Sequence, residues 1–199
     1  MEIKKVIELV VKHSIDKASQ VLSKILRAGA KIELENIDVV DITRATEKIM
    51  REEEKEILGS MISIEGDISC KFLFLIKVDD ALIFTDLMLR NEPGTTAILN
   101  DYTKSAIQEI GNILSGAIAN TFSKDFNIDI WPSTPVVLND FLGVIFSNFI
   151  VEGAESEDVI WLIQAKFLVV RTQIECEMFL IPHAESFALL QKLISEEKK

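Results

Sequence analysis

The chain is 199 residues long, 48% hydrophobic and 27% charged, with a formal net charge of −11. That length buries a substantial core in one domain or two small ones, and that apolar content excludes a disordered chain. The acidic balance argues against a nucleic-acid backbone as partner and leaves room for a protein bearing a basic patch or a buried lysine.

Residues 2–28 place Ile3, Val6, Ile7, Val10, Val11, Ser14, Ala18, Val21, Leu22 and Ile25 on one helical face, and Gly29 is a stop signal. Residues 31–42 alternate and predict a strand; residues 43–55 predict a charged surface helix. Two strands follow at 56–66 and 70–78, joined through a turn near Gly66 and Asp67, then a short helix at 79–90. The run N-E-P-G-T-T at 91–96 is the clearest loop. The order then repeats: a long helix at 100–126, an irregular extended stretch at 128–137, a helix at 140–149, strands at 159–170 and 174–182, and a closing helix at 184–194. Cys70 and Cys176 sit in apolar strand runs and read as reduced core thiols. The first residues are too charged for a signal peptide, and the longest apolar segments are too short or too interrupted to span a bilayer. These features predict a cytoplasmic protein with neither membrane nor nucleic acid as partner.

Short matches accompany the repeated order. Leu22-Ser23 aligns with Phe122-Ser123, Val39-Val40 with Val136-Val137, and Phe74–Lys77 with Phe179–Pro182. They predict an internal duplication of about 100 residues, with halves at 1–98 and 99–199 fused into a single domain, 1–199. The expected fold is α+β: two pseudo-symmetric α/β halves, a shared or adjacent antiparallel sheet, and two long outer helices.

Within S-A-I-Q-E-I-G-N-I-L-S-G-A-I-A-N at 105–120, Ser105, Glu109, Asn112 and Gly116 stand at i, i+4, i+7 and i+11. At about 100° per residue they share one narrow stripe. Ile107, Ile110, Ile113, Leu114, Ala117, Ile118 and Phe122 centre on the opposite face. Glu109 and Asn112 should therefore face outward in fixed relative positions. A helix-interior glycine costs about 1 kcal/mol relative to alanine. Close helix–sheet packing accounts for Gly111, near the apolar face, while Gly116 and Ala119 are expected to keep the outward stripe low in profile. Trp131 is assigned to the core, and His13 and His183 to surface or cap positions. No His/Asp/Glu cluster has metal-ligand spacing.

The spacing Ser105-x3-Glu109-x2-Asn112-x22-Pro135 resembles the D/S-x3-E-x2-N-x22-P signature of the CheC–CheX–FliY phosphatases of bacterial and archaeal chemotaxis. A chance match at all four positions has a frequency of roughly a few in a thousand. The flanking E-I-G-N-I-L-S-G and A-N-T-F-S are also similar to this family, and the resemblance extends through the duplicated layout over nearly all of the chain. The length fits the CheC branch: CheX is shorter, and FliY carries an added N-terminal peptide and a flagellar-switch domain.

The resemblance implies a phosphatase acting on the phosphoaspartate of a CheY-type response regulator. Asn112 would hold the attacking water, and Glu109 would pair with the regulator's active-site lysine. Pro135 would shape the strand beside the helix, with Ser105 peripheral. Mg2+ would belong to the regulator, with no cofactor bound by this chain. In the first half, the Leu22/Phe122 register sets Leu9 opposite Glu109, Lys12 opposite Asn112 and Lys5 opposite Ser105, with Asp38 near the proline position. That half is read as a degenerate site, leaving one working centre. The alternative is a non-catalytic adaptor that binds phospho-regulator or a CheD-type deamidase in a chemotaxis or flagellar assembly.

Overall fold

Alternating apolar residues along the strands sort the core onto two faces of a single sheet. This computed structural model describes residues 2–50, 55–153, 159–169 and 172–183, together with residues 185, 186, 188, 189 and 192. In chain order the elements are α1 (Glu2–Leu26), β1 (Ala30–Asp41), α2 (Ile42–Met50), β2 (Glu56–Gly66), β3 (Cys70–Lys77) and α3 (Val78–Leu89). Then come α4 (Asp101–Phe126), β4 (Ile130–Pro132), β5 (Val136–Phe141), α5 (Leu142–Gly153), β6 (Val159–Val169) and β7 (Thr172–Pro182).

The sheet has seven strands in the order β1-β6-β7-β3-β2-β4, and β5 also pairs with β2. The pairings are antiparallel. Matching β1, β2 and β3 to β5, β6 and β7 makes the order read alike from either edge. β1 lies on β6 and β5 lies on β2, so the early and late parts of the chain supply each other's neighbours.

Phe72, Phe74 and Ile76 of β3, with Cys176, Met178 and Leu180 of β7, face the layer built by α1, α3 and α4. Leu73, Leu75, Phe179 and Ile181 face the opposite layer, where α2 and α5 contribute Ala45, Ile49, Ile145, Phe146 and Phe149. Period-2 alternation produces this division, and strands covered on both faces read as continuous apolar runs. Burying a side chain of this size contributes about 1.5–3 kcal/mol.

Local chemistry fixes both ends of α4. Asn100 is its N-cap, accepting from the Tyr102 and Thr103 amides at 2.9 and 3.1 Å. Asn127 ends it in the left-handed region at φ 51°, and the Ile128 amide returns to the Ser123 carbonyl at 3.2 Å. The turn after β2 braces this exit. Gly66 has φ 128°, and a Cβ there would strike the Asp129 carbonyl. The Asp67 amide donates to that carbonyl at 2.9 Å, and the Asp67 carboxylate accepts from the Asp129 amide at 2.8 Å. α1 packs antiparallel to α4: Lys17 Nζ donates to Thr121 Oγ1 at 3.0 Å, and His13 lies 3.6 Å from Asp125.

Several boundaries differ from the sequence reading. The stretch expected to be irregular resolves into β4 and β5, both laid on β2. The helix expected at 140–149 starts at Leu142 and runs to Gly153. Asp140 and Phe141 remain in the sheet opposite Ile57 and Glu56, so ladder pairing overrides their helical pattern. Of the charged helix expected at 43–55, the described part is α2; residues 51–54 lie outside the described residues, and Lys55 is not helical. Residues 185, 186, 188, 189 and 192 are helical within the expected closing segment, whose other positions lie outside the described residues.

Candidate functional site

The apolar side of α4 buries Ala106, Ile107, Ile110, Gly111, Leu114, Ala117 and Ile118. What remains outward is the polar stripe: Ser105 and Asn112 are exposed, and Glu109 and Gly116 are half-buried. One helical turn separates the carboxylate from the amide, so their Cβ atoms stand about 5–6 Å apart. Among the described residues, neither the Glu109 carboxylate nor the Asn112 amide is taken up by a hydrogen bond or ion pair. A Cβ at Gly116 would meet open space, so the surface beside Asn112 is low. Ala119, expected on that low stripe, is instead buried, because the last turns of α4 lie against α1 where Lys17 reaches Thr121.

The height of this stripe is set from below. A Cβ on Gly111 would collide with the Ser60 hydroxyl of β2 and lie 3.4 Å from Pro135 Cβ. The glycine therefore lets the helix settle onto the sheet beside Asn112. Pro135 is buried there, in the connection between β4 and β5. That connection is tied to β2 by the Ser133 amide donating to the Ser63 carbonyl at 2.7 Å, and by the Ser63 amide donating to Ser133 Oγ at 3.1 Å. Sequence reasoning missed Ser60. The signal was available: a helix-interior glycine facing a strand requires a small residue opposite, and Gly59-Ser60 is the small-residue step of β2.

A second missed residue is Asp86, fully buried in α3. Its carboxylate accepts from the Gly94, Thr95 and Thr96 amides at 2.8, 2.9 and 3.0 Å and from the Thr96 hydroxyl. Burial alone would raise its pKa. The Thr96 side chain and the three amides outweigh burial and hold the carboxyl below its ordinary value. The loop before α4 is thereby fastened to α3.

Elsewhere the side chains divide between expectation and correction. Trp131, assigned to the core, is 55% exposed. It sits in a three-residue strand, opposite exposed Glu65, with Ile130 and Pro132 taking the inward positions. Cys70 and Cys176 are free, buried thiols; burial pushes Cys70 up to about 12 and Cys176 well above its usual value, which leaves both unreactive. On α1, Lys5, Leu9 and Lys12 are exposed, and Val11 is buried at the position matching Gly111. That outer face offers two ammonium groups and an alkyl chain where α4 offers an amide and a carboxylate. No grouping of three or more His, Cys, Asp or Glu among the described residues is arranged to hold a metal. No described helix is long and apolar enough to cross a membrane.

Residues 103–138, which span the polar stripe and Pro135, match the model of the CheC-like family. The CheY-P phosphatase CheC of Bacillus subtilis (strain 168) is 23% identical over 138 residues, covering 67% of this chain and 66% of that protein's length. The fold resembles the crystal structure of Thermotoga maritima FliY with a TM-score of 0.77 at 14% identity, over 98% of this chain and 96% of that one. It also resembles the FliM middle domain from H. pylori with a TM-score of 0.64 at 12% identity, over 92% of this chain and 93% of that one. The CheC-like family's model is thus matched on α4 and the strands that follow it, and the fold of the FliY structure is shared along nearly the whole chain.

Proposed function

We propose that this protein is a phosphatase for the phosphoaspartate of a CheY-type response regulator, with one working centre on α4. The observation that carries this reading is an exposed Asn112 amide one turn from Glu109, both without intramolecular partners among the described residues, on a helix seated firmly on the sheet. The family match over residues 103–138 and the similarity to a CheY-P phosphatase support it.

The chemistry follows from what an amide can do. Asn112 enters the regulator's pocket and holds a water in line with phosphorus. Its carbonyl accepts a hydrogen bond from that water, and its NH2 donates to a neighbouring acceptor. The water oxygen bonds to phosphorus, the bond from phosphorus to the aspartyl oxygen breaks, and the products are a free carboxylate and inorganic phosphate. An amide does not titrate in the physiological range, so its contribution is positional, as for the glutamine that orients water in GTPases. Glu109 pairs with the regulator's active-site lysine and sets the helix in register. Mg2+ in the regulator's own site neutralises phosphoryl charge. Ser105 and Gly116 border the contact, and Pro135 supports the helix from below.

The test compares this protein with Asn112→Ala on phosphorylated regulator and magnesium. Acceleration that disappears in the variant while binding persists supports catalysis. Glu109→Lys should weaken docking by about tenfold, through like-charge opposition to the regulator's lysine; unchanged affinity would contradict its role.

A second reading is a binding adaptor in a chemotaxis or flagellar assembly, engaging phospho-regulator or a CheD-type deamidase. The observations favouring it are the fold shared with the FliM middle domain and the lysines on the outer face of α1. Binding of phospho-regulator without acceleration by the unaltered protein would favour the adaptor.

A further inference from the structure

Two of the most exposed large apolar side chains lie at the start of the helix that carries Glu109 and Asn112. Ile98 is 75% exposed and Tyr102 is 65% exposed. Single exposed apolar residues are normal on protein surfaces. This pair differs in position and in rigidity.

Position comes first. Tyr102 precedes Glu109 by seven residues, two turns along the same stripe, or about 10 Å along the helix axis. Asn112 lies about 15 Å from it by the same rise. An ordinary interface covers about 800 Å² per partner, a patch about 30 Å across. A partner centred on Glu109 and Asn112 must therefore cover Tyr102 and reach Ile98. The far end of the stripe is different: Asn120 and Lys124 are its exposed residues, and the exposed large apolar side chain of α4 itself, Tyr102, stands at the N-terminal end.

Rigidity is the second observation. The loop leading to Ile98 is gathered onto the buried Asp86 carboxylate by Gly94, Thr95 and Thr96. The Asn100 side-chain NH2 donates to the Ile98 carbonyl at 3.4 Å, and its oxygen caps α4 at Tyr102 and Thr103. Leu99, between them, packs against the core. Burying a carboxylate is costly unless donors satisfy it, and here a full set of donors is spent on fixing a surface loop. Apolar groups fixed before contact lose less entropy on binding than mobile ones.

We infer that Ile98 and Tyr102 form a preformed apolar anchor that seats the response regulator beside the Glu109–Asn112 pair, on a loop that Asp86 fastens. This rests on the proposed docking of a CheY-type regulator on α4. It adds that the regulator presents an apolar patch next to its phosphorylation pocket, and that affinity and catalysis reside in separable residues of α4 and the loop before it.

The experiment uses the full chain with Ile98→Asp and, separately, Tyr102→Ala. The probes are a CheY-type regulator held in its active form by beryllofluoride and magnesium, for affinity, and the phosphorylated regulator, for hydrolysis. Both substitutions are at exposed positions, and thermal melts verify folding. The anchor predicts that Kd and KM rise by about tenfold while kcat stays within about twofold. Asn112→Ala should show the reverse split, with kcat lost and Kd retained. Unchanged Kd and KM in both anchor variants, with hydrolysis by the parent protein intact, would overturn the anchor and leave the phosphatase reading standing. A change in self-association without a change in regulator affinity would assign the patch to a second copy of this chain and likewise overturn it. A parent protein that neither binds nor hydrolyses the regulator removes both the anchor and the reading beneath it.

Discussion

Asp86 and Ser60 are buried polar residues with opposite hydrogen-bonding situations. Asp86 has a full set of donors; Ser60 Oγ is a buried side-chain oxygen with no partner among the described residues. Removing an unpartnered hydroxyl relieves a desolvation cost, so Ser60→Ala should leave stability unchanged or raise it by about 1 kcal/mol. A loss of more than that in urea unfolding would mean the hydroxyl is engaged. For Asp86 the folded-state pKa is depressed. Its contribution is therefore complete above the unfolded value of about 3.9 and is lost as pH falls through the lower folded value. Asp86→Asn should cost about 1–3 kcal/mol at pH 7, and the gap to the parent should close below about pH 4. A gap independent of pH would contradict a charged Asp86. Asp86 did not stand out in the sequence, because its partners are mostly backbone amides of the 94–96 loop, which any residue type supplies. Ser60 is marked only by its small size beside Gly59, and the residue it faces, Gly111, lies on a different element. The outward placement of Asn112 and the burial of Ile107 and Ile110 were legible, since both follow from the helical period alone. Trp131 was not, because its exposure depends on which side of a three-residue edge strand it falls.

At the scale of the element, α4 holds a glycine in mid-helix, against its own propensity. Gly111→Ala would gain about 1 kcal/mol in helix propensity. The clash with Ser60 should cost more, for a net loss of about 1–3 kcal/mol, and should lift Asn112 off its present height. Ser60→Ala combined with Gly111→Ala should recover part of that loss, because the remaining Cβ contact of 3.2 Å is less severe than the one with the hydroxyl. Strict additivity in a double-mutant cycle would contradict the contact. The long helices and the central strands were legible in the sequence, from periodicity and from unbroken apolar runs. The stretch 128–137 was not. Its strands are short and its prolines remove ladder donors, so only pairing with β2 makes β4 and β5.

For the whole molecule, a shared or adjacent antiparallel sheet and two long outer helices were readable from the repeated order of elements, and the structure has one shared sheet. The interleaving was not, because local patterns carry no information on which strand lies beside which. With β1 on β6 and β5 on β2, the first and last parts of the chain complete one sheet together. Fragments 1–98 and 99–199 should therefore fail to fold separately and should regain a cooperative melt when mixed. A cooperative transition in either fragment alone would contradict this. The interleaved sheet gives α4 a rigid base, and the proposed activity needs that base: positioning a water is effective only from a fixed support. The decisive measurement is the single-turnover rate of phosphate loss from a CheY-type regulator at saturating concentrations of this protein, compared between the parent and Asn112→Ala. The parent should accelerate the loss, and the variant should lose about a hundredfold, equivalent to about 2.7 kcal/mol of transition-state stabilisation, at unchanged affinity. Equal rates from the two proteins at full occupancy would contradict the positional role of Asn112.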